Sequence, residues 1–208
     1  MAQDQLIDLW RGQFGNDYVD RNEVDSARVE DRRRMWQRVL QPLEDRMPAR
    51  ILEVGANIGL NLRALASLSS AELFGLEPND AARQRLIDDA VVPASRALPG
   101  AGHAIPLPDR SVDLAFTCGV LIHVDPERLG QTYREIHRVT QRYIVAIEYF
   151  ADEPTEKRYR GHTGALFKRD FGAFWMDQHP DLTLIDYGFF WKRVTNLDNL
   201  TWWLFEKP

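Results

Sequence analysis

From residue 50 to residue 149 the chain repeats one pattern, a short apolar run followed by a helix-like stretch. Arg50–Val54 (RILEV) reads as a buried strand, and a glycine-containing turn and a helix through LNLRALASL follow it. Residues 71–77 (AELFGLE) read as a second strand, and Asn79–Ala90 as a second helix capped by Asn79 or Asp80. VVPAS reads as a weak third strand and Val112–Cys118 (VDLAFTC) as a fourth. Asp125-Pro126 supplies an N-cap and a first-turn proline for the helix carrying Leu129, Tyr133, Ile136 and Val139, and RYIVAIEY is the next strand. Such alternation predicts an α/β fold, a mainly parallel sheet with helices on both faces. The ending breaks the rule. TLIDYGFFW and LTWWLFE are joined by the short polar stretch VTNLDN, which leaves no room for a crossover and predicts an antiparallel hairpin. Ahead of the sheet, residues 24–47 read as one long amphipathic helix closed by Pro48, so 1–48 is a helical cap on a single unit whose main body is 49–208.

The first turn is the informative one. A strand that runs through a glycine-rich turn into a helix N-terminus is a general ligand-holding device. The dinucleotide fingerprint G-x-G-x-x-G begun at Gly55 requires glycine at 57 and 60, which hold Asn57 and Leu60. The segment instead reads Glu53-Val-Gly55-Ala-Asn57-Ile-Gly59. It resembles the E/D-x-G-x-G-x-G signature of S-adenosylmethionine-dependent methyltransferases, with one departure, Asn57, a residue type that tolerates left-handed backbone. Glycine suits the turn because the backbone must bend sharply and approach a ligand without a Cβ between them. Glu77 ends the second strand, 22 residues after Gly55, where a carboxylate accepts hydrogen bonds from both ribose hydroxyls.

FGNDYVDRN, ILEVGANIGLNLRAL, GLEPNDAA, CGVLIHVDPERL, EYF, YRGH, LFKRDF, DYGFFW and LTWWLFEK occur in this order. Together they resemble the small methyltransferases called pseudaminic-acid-biosynthesis-associated methylases, over roughly residues 10–207. The resemblance implies a Rossmann-like class I methyltransferase fold, with a seven-stranded, mostly parallel sheet whose last two strands form the hairpin. It implies S-adenosylmethionine as cofactor, and cofactor contacts from Tyr18, Arg21, Glu53, Gly55, Asn57, Gly59, Asn61, Glu77, Pro78, Ala104, Ile105, Cys118 and Gly119. In similar enzymes an N-terminal segment closes over the cofactor. That gives Tyr18 and Arg21 their expected place, Arg21 pairing the cofactor's carboxylate. Ala104 and Ile105 are expected to offer backbone N–H groups to the adenine edge. Cys118 otherwise reads as a small buried apolar group.

Two residues are candidates for the chemistry. His123 follows the fourth strand at its C-terminal end, where α/β sheets place ligands, and would act as a base near its ordinary pKa; the same position suits a buttress for the helix start at Asp125. Glu148 and Tyr149 end the fifth strand, with Tyr149 a second catalytic candidate or a core residue. Between the fifth and sixth strands, RYRGHTGALFKRD gathers Arg158, Arg160, His162, Lys168 and Arg169, a wall for an anionic acceptor or a solvated helix face.

Charge narrows the partners. The 208 residues carry 26 Lys plus Arg against 31 Asp plus Glu, a formal charge of -5, so neither nucleic acid nor an anionic membrane is an expected partner. The one cysteine excludes a disulfide framework, and neither H-E-x-x-H nor another clustered ligand set predicts a metal. MAQDQLIDLW has no basic leader and no 18-residue apolar run follows, which predicts a cytoplasmic protein. The expected function is methyl transfer to O or N of a small anionic acceptor, such as a nonulosonic sugar or its precursor. A methyltransferase for another small molecule or a macromolecule, and a non-catalytic cofactor-binding regulator, are the alternatives. Monomer and homodimer both stay open.

Overall fold

The computed structural model describes residues 5–208; residues 1–4, the beginning of the segment read as having no leader, lie outside the described residues. The chain opens with α1 (Gln5–Arg11), α2 (Gln13–Arg21) and α3 (Ser26–Leu40). The single helix expected over 24–47 stops at Leu40, and Gln41–Arg46 continues as a 3-10 turn. Pro42 is the cause, since it has no N–H and its ring clashes with the preceding turn of an α-helix.

The sheet follows as β1 (Arg50–Val54), α4 (Leu60–Ala66), β2 (Glu72–Glu77), α5 (Asp80–Asp88), β3 (Ala97–Pro99), β4 (Val112–Cys118), α6 (Pro126–Val139) and β5 (Thr140–Glu148). Asn79 and Asp125 are the N-caps the sequence indicated, their side chains accepting from Ala82 N and Glu127 N. VVPAS is not a strand. The N–H groups of Val91 and Val92 turn back to the Leu86 carbonyl at the end of α5, and Ala94–Arg96 form a 3-10 turn after Pro93, so β3 starts at Ala97.

After β5 comes a separate two-stranded hairpin, β6 (Thr155–Tyr159) and β7 (His162–Lys168), which turns at Arg160 and Gly161 with positive φ at both. The basic stretch is therefore extended rather than helical. Then α7 (Phe171–Gln178), β8 (Thr183–Phe190), α8 (Lys192–Thr195) and β9 (Leu200–Glu206) complete the chain. The seven strands lie in the order β3-β2-β1-β4-β5-β9-β8. β1 to β5 are parallel, and β9 is antiparallel to both β5 and β8, the expected hairpin. One apolar layer packs Trp36, Val39, Leu43, Phe116 and Trp202 on one face, and another packs Tyr133, Ile136, Phe171, Trp175 and Phe205 on the other. Strand order reverses between β1 and β4, so their C-terminal ends diverge and leave a crevice. No helix among the described residues is long and apolar enough to cross a membrane.

Candidate active site

A cavity of about 280 Å³ occupies that crevice. Its floor is made by the turn after β1. Gly55 has φ +76, and a Cβ there would lie 2.6 Å from the Val120 side chain, so glycine is required on two counts. Asn57 takes the left-handed conformation at φ 47, and its N–H donates to Glu77 Oε2 at 2.7 Å. Asn79 N donates to Glu77 Oε1 at 2.8 Å. Each oxygen of Glu77 thus keeps one lone pair beyond its backbone partner. Asn61 Nδ2 donates to Glu53 Oε1 at 2.7 Å, while Glu53 Oε2 and Asn57 Oδ1 are buried with no partner among the described residues. Burial pushes Glu53 up to about 8 and Glu77 up to about 7, against the lowering effect of those hydrogen bonds.

These orphaned acceptors fit a ligand that brings hydroxyl and ammonium donors. Tyr18, Glu53, Gly55, Asn57, Asn61, Glu77, Pro78, Cys118 and Gly119 all line the cavity as the sequence suggested. Four expected contacts do not. Gly59 is the left-handed N-cap of α4, where a Cβ would meet Leu86 at 2.7 Å, so it serves packing. Ala104 N bonds the Ala101 carbonyl and Ile105 N bonds Glu135 Oε2, so neither N–H is free for an adenine edge; Ala101 and Gly102 line the cavity instead. Arg21 is exposed, its guanidinium 5.8 Å from the Tyr18 ring. The cations lining the cavity are Arg28 and Arg32, one helical turn apart on α3, with Arg28 bonded to Asn22 Oδ1. Their i,i+4 spacing was the available signal. Burial lifts the Cys118 thiol to about 12, which leaves it unreactive.

The roof is α1, α2 and the β6–β7 hairpin. Trp10 meets the rings of Phe14, Tyr18 and His123 edge-on at 5.2, 5.4 and 4.8 Å. Tyr159 lies 4.8 Å from His123, and His162 lies 5.2 Å from Phe14. Asn79 Nδ2 donates to Trp10 O and Asn16 Oδ1, tying roof to floor, and Gly15 is needed because a Cβ would overlap the Trp10 carbonyl. His123 Nδ1 lies 2.7 Å from the Ala165 carbonyl. A neutral ring there donates from Nδ1 and keeps the Nε2 lone pair. Burial pushes His123 down to about 4, so the base expected to titrate near its ordinary pKa is neutral throughout the neutral range.

Tyr149 lies outside this cavity. Its hydroxyl donates to Asp198 Oδ2 at 2.5 Å, and burial and Asp198 raise its pKa, so it stays a protonated donor. A second depression of about 430 Å³ is lined by Tyr149, Phe150, Lys168, Phe189, Lys192, Asp198, Asn199 and Thr201, and Asp198 lines both spaces. Lys168 Nζ stands 4.9 Å over the Tyr149 ring, and Lys192 Nζ is 3.1 Å from Asp198 Oδ1. The five basic residues of the 158–169 stretch do not converge. Arg158 and Arg160 are exposed at the hairpin tip, His162 faces Phe14, and Arg169 is partly buried, its pKa lowered by desolvation. Glu148 is fully buried and accepts from Val120 N and Leu121 N, which fixes the turn after β4 and leaves it no contact with the cavity. Lys192 and Asp198 left no local signal in the sequence, because they enter from the start of α8 and the loop before β9.

Residues 52–143 match the family model described as a methyltransferase domain. The structure is similar over 98% of the chain to an S-adenosylmethionine-dependent methyltransferase from Leishmania major, at 16% identity, TM-score 0.73 and 82% coverage of that chain. It is similar over 100% of the chain to the Burkholderia thailandensis 1,6-didemethyltoxoflavin-N1-methyltransferase, solved with 1,6-didemethyltoxoflavin and S-adenosylhomocysteine, at 16% identity, TM-score 0.70 and 91% coverage. A magnesium protoporphyrin IX methyltransferase from Synechocystis, with bound S-adenosylhomocysteine, aligns over 98% of the chain and 99% of its own, at 13% identity and TM-score 0.68. No curated protein matches the chain in sequence. The domain match over residues 52–143, the sheet order and the acid-lined turn together give the chain the fold of class I S-adenosylmethionine-dependent methyltransferases. The match is to the broad methyltransferase domain; the acceptor is a matter for the site.

Proposed function

We propose that the protein methylates an oxygen or nitrogen of a small anionic metabolite in the cytoplasm, with a nonulosonic, pseudaminic-type sugar or its precursor as the acceptor the sequence resemblance favours. The observation that carries the anionic reading is the pair Lys168 and Lys192 around a depression that meets the cofactor cavity at Asp198. Two compact cations beside Tyr149 and Phe189 suit a carboxylate on a ring-sized molecule.

Bound there, S-adenosylmethionine would supply an electrophilic methyl on a sulfonium, with a neutral thioether as the leaving group. The chain's own residues bind, align and exclude water. Glu77 holds the ribose, Glu53 and Asn57 receive the ammonium end, and Arg28 with Arg32 faces the carboxylate. Alignment supplies several kcal/mol of a methyl-transfer barrier, up to roughly 7–11 in the best models. His123 Nε2 accepts a hydrogen bond from the acceptor's nucleophile and orients it, with the tautomer fixed by Ala165. The proton released on transfer leaves for solvent, since His123 stays neutral across this range and does not hold it. Tyr149 positions Asp198.

The test is a mass-spectrometric screen of acidic sugars and their neutral counterparts with S-adenosylmethionine. A product one methylene heavier from the acidic members alone is expected. Methylation of neutral sugars at equal rate, or of none while a macromolecule is labelled, contradicts the reading.

A further inference from the structure

At the other end of the sheet three side chains from different elements converge. α6 runs back from the cofactor edge, so His137 in its last turn lies by the N-terminal end of β5. His179 is the C-cap of α7, and Asp181 stands in the turn that enters β8. The imidazoles of His137 and His179 stack, with centroids 4.0 Å and planes 7° apart. His137 Nε2 is 3.2 Å from Asp181 Oδ2, and one ligand atom from each of the three lies within 4.8 Å of the others. His179 Nε2 is buried with no hydrogen-bond partner among the described residues.

We propose that His137, His179 and Asp181 form a binding site for a zinc-type dication, a clamp between α6, the end of α7 and the start of β8. Zinc holds tetrahedral ligands at about 2.0–2.2 Å, which sets ligand–ligand edges of about 3.3–3.6 Å. The His137–Asp181 separation is close to one edge, and the His179 ring would swing out of its stack with His137 to supply the third ligand. Two imidazole nitrogens and one carboxylate suit a first-row dication and not magnesium or calcium, which take oxygen. Burial lowers the pKa of both histidines, His179 to about 4, so both are in the metal-binding form at neutral pH. Lys207 and Arg110 oppose a cation here, and Asp181 and Asp109 favour one. The Lys207 ammonium is committed to the carbonyls of His137 and Thr140. Asp181 is 42% exposed, which gives the ion a route in and a water in its fourth position. Neither cavity described above includes these residues, so the role is structural.

Thermal unfolding of the chelator-stripped full chain tests this, with Zn²⁺ or Co²⁺ added alone. At zinc a hundredfold above its dissociation constant the midpoint is expected to rise by on the order of 5–10 °C. One equivalent of Co²⁺ is expected to give the visible absorption of a tetrahedral site. Asp181→Asn and His179→Gln should each abolish both signals. S-adenosylhomocysteine binding, which these residues do not touch, verifies that the variants are folded. Should the histidine variant fail to fold, the partly exposed Asp181→Asn decides the matter. No shift in the parent protein means a stack of histidines without an ion and overturns the proposal; an equal shift in the variants means binding elsewhere and overturns it too.

Discussion

The floor and the roof of the cofactor cavity are built by different physics. The floor is backbone. Gly55 N and Ala56 N bond the Leu76 carbonyl, Asn57 N and Asn79 N bond Glu77, and every donor comes from a turn that directly follows a central strand. The roof is side chains, with Trp10, Phe14, Tyr159 and His162 meeting edge-on and Asn79 reaching up to the Trp10 carbonyl. Backbone donors at the ends of strands hold their positions before a ligand arrives, whereas ring edges contribute about 0.5–1.5 kcal/mol each and part without breaking the sheet. The difference makes the floor the source of cofactor recognition and the roof the source of exclusion. Segments that open for ligand entry come from the weakly held part of a fold.

Breaking the floor carries the largest expected effect. Glu77→Ala removes the proposed ribose acceptor and leaves the N–H groups of Asn57 and Asn79 without their partner. S-adenosylhomocysteine affinity is expected to fall by about 1.5–3 kcal/mol, roughly 10- to 150-fold by calorimetry. A smaller effect with a definite sign belongs to Glu53. Its folded pKa of about 8 lies above the usual carboxyl value, so the stability of the neutral form is fully present below about 4.5 and is lost as pH rises through 8. Glu53→Gln keeps the acceptor for Asn61 and carries no charge. In urea melts without cofactor it should equal the parent near pH 4 and exceed it by on the order of 1–3 kcal/mol at pH 8.5. The same variant should bind S-adenosylhomocysteine more weakly; if stability and affinity fell together, the floor would not hold an unsatisfied charge.

The roof is expected to yield more quietly. Asn79→Asp keeps the cap acceptor of α5 and removes the donor to Trp10 O and Asn16 Oδ1. Amide exchange over residues 10–18 should quicken without cofactor and slow again when S-adenosylhomocysteine is added. Equal protection in both states would make α1 and α2 fixed structure. The smallest effects separate the two groups of cations. Lys168→Ala with Lys192→Ala should raise the acceptor KM roughly tenfold, about 1.4 kcal/mol, while Arg160→Ala at the exposed hairpin tip leaves it unchanged. Equal effects from both would restore the basic stretch as one site.

The same division explains what the sequence disclosed. Glu53, Gly55, Asn57 and Glu77 sit on consecutive strands and turns, where spacing along the chain dictates position in space. The caps Asn79 and Asp125 and the final hairpin were readable for the same local reason. The sequence pointed to Arg21 and not to Arg28 or Arg32, because only the packing of α3 decides which guanidinium turns inward. VVPAS was misread because β-branched residues in a helix C-terminal turn look like a strand until their N–H partners are known. β6 is mostly exposed and β7 mostly half-buried with no regular alternation, so the hairpin lacks the apolar pattern that marks a one-sided strand. His137 and His179 meet across 42 residues, and nothing in their local context announces it.

Calorimetric titration of the full chain with S-adenosylhomocysteine and, separately, with NAD tests the central claim that the acid-lined turn after β1 is an S-adenosyl site. One equivalent of S-adenosylhomocysteine is expected to bind, with no heat from NAD. Tight NAD binding without S-adenosylhomocysteine binding would contradict the account.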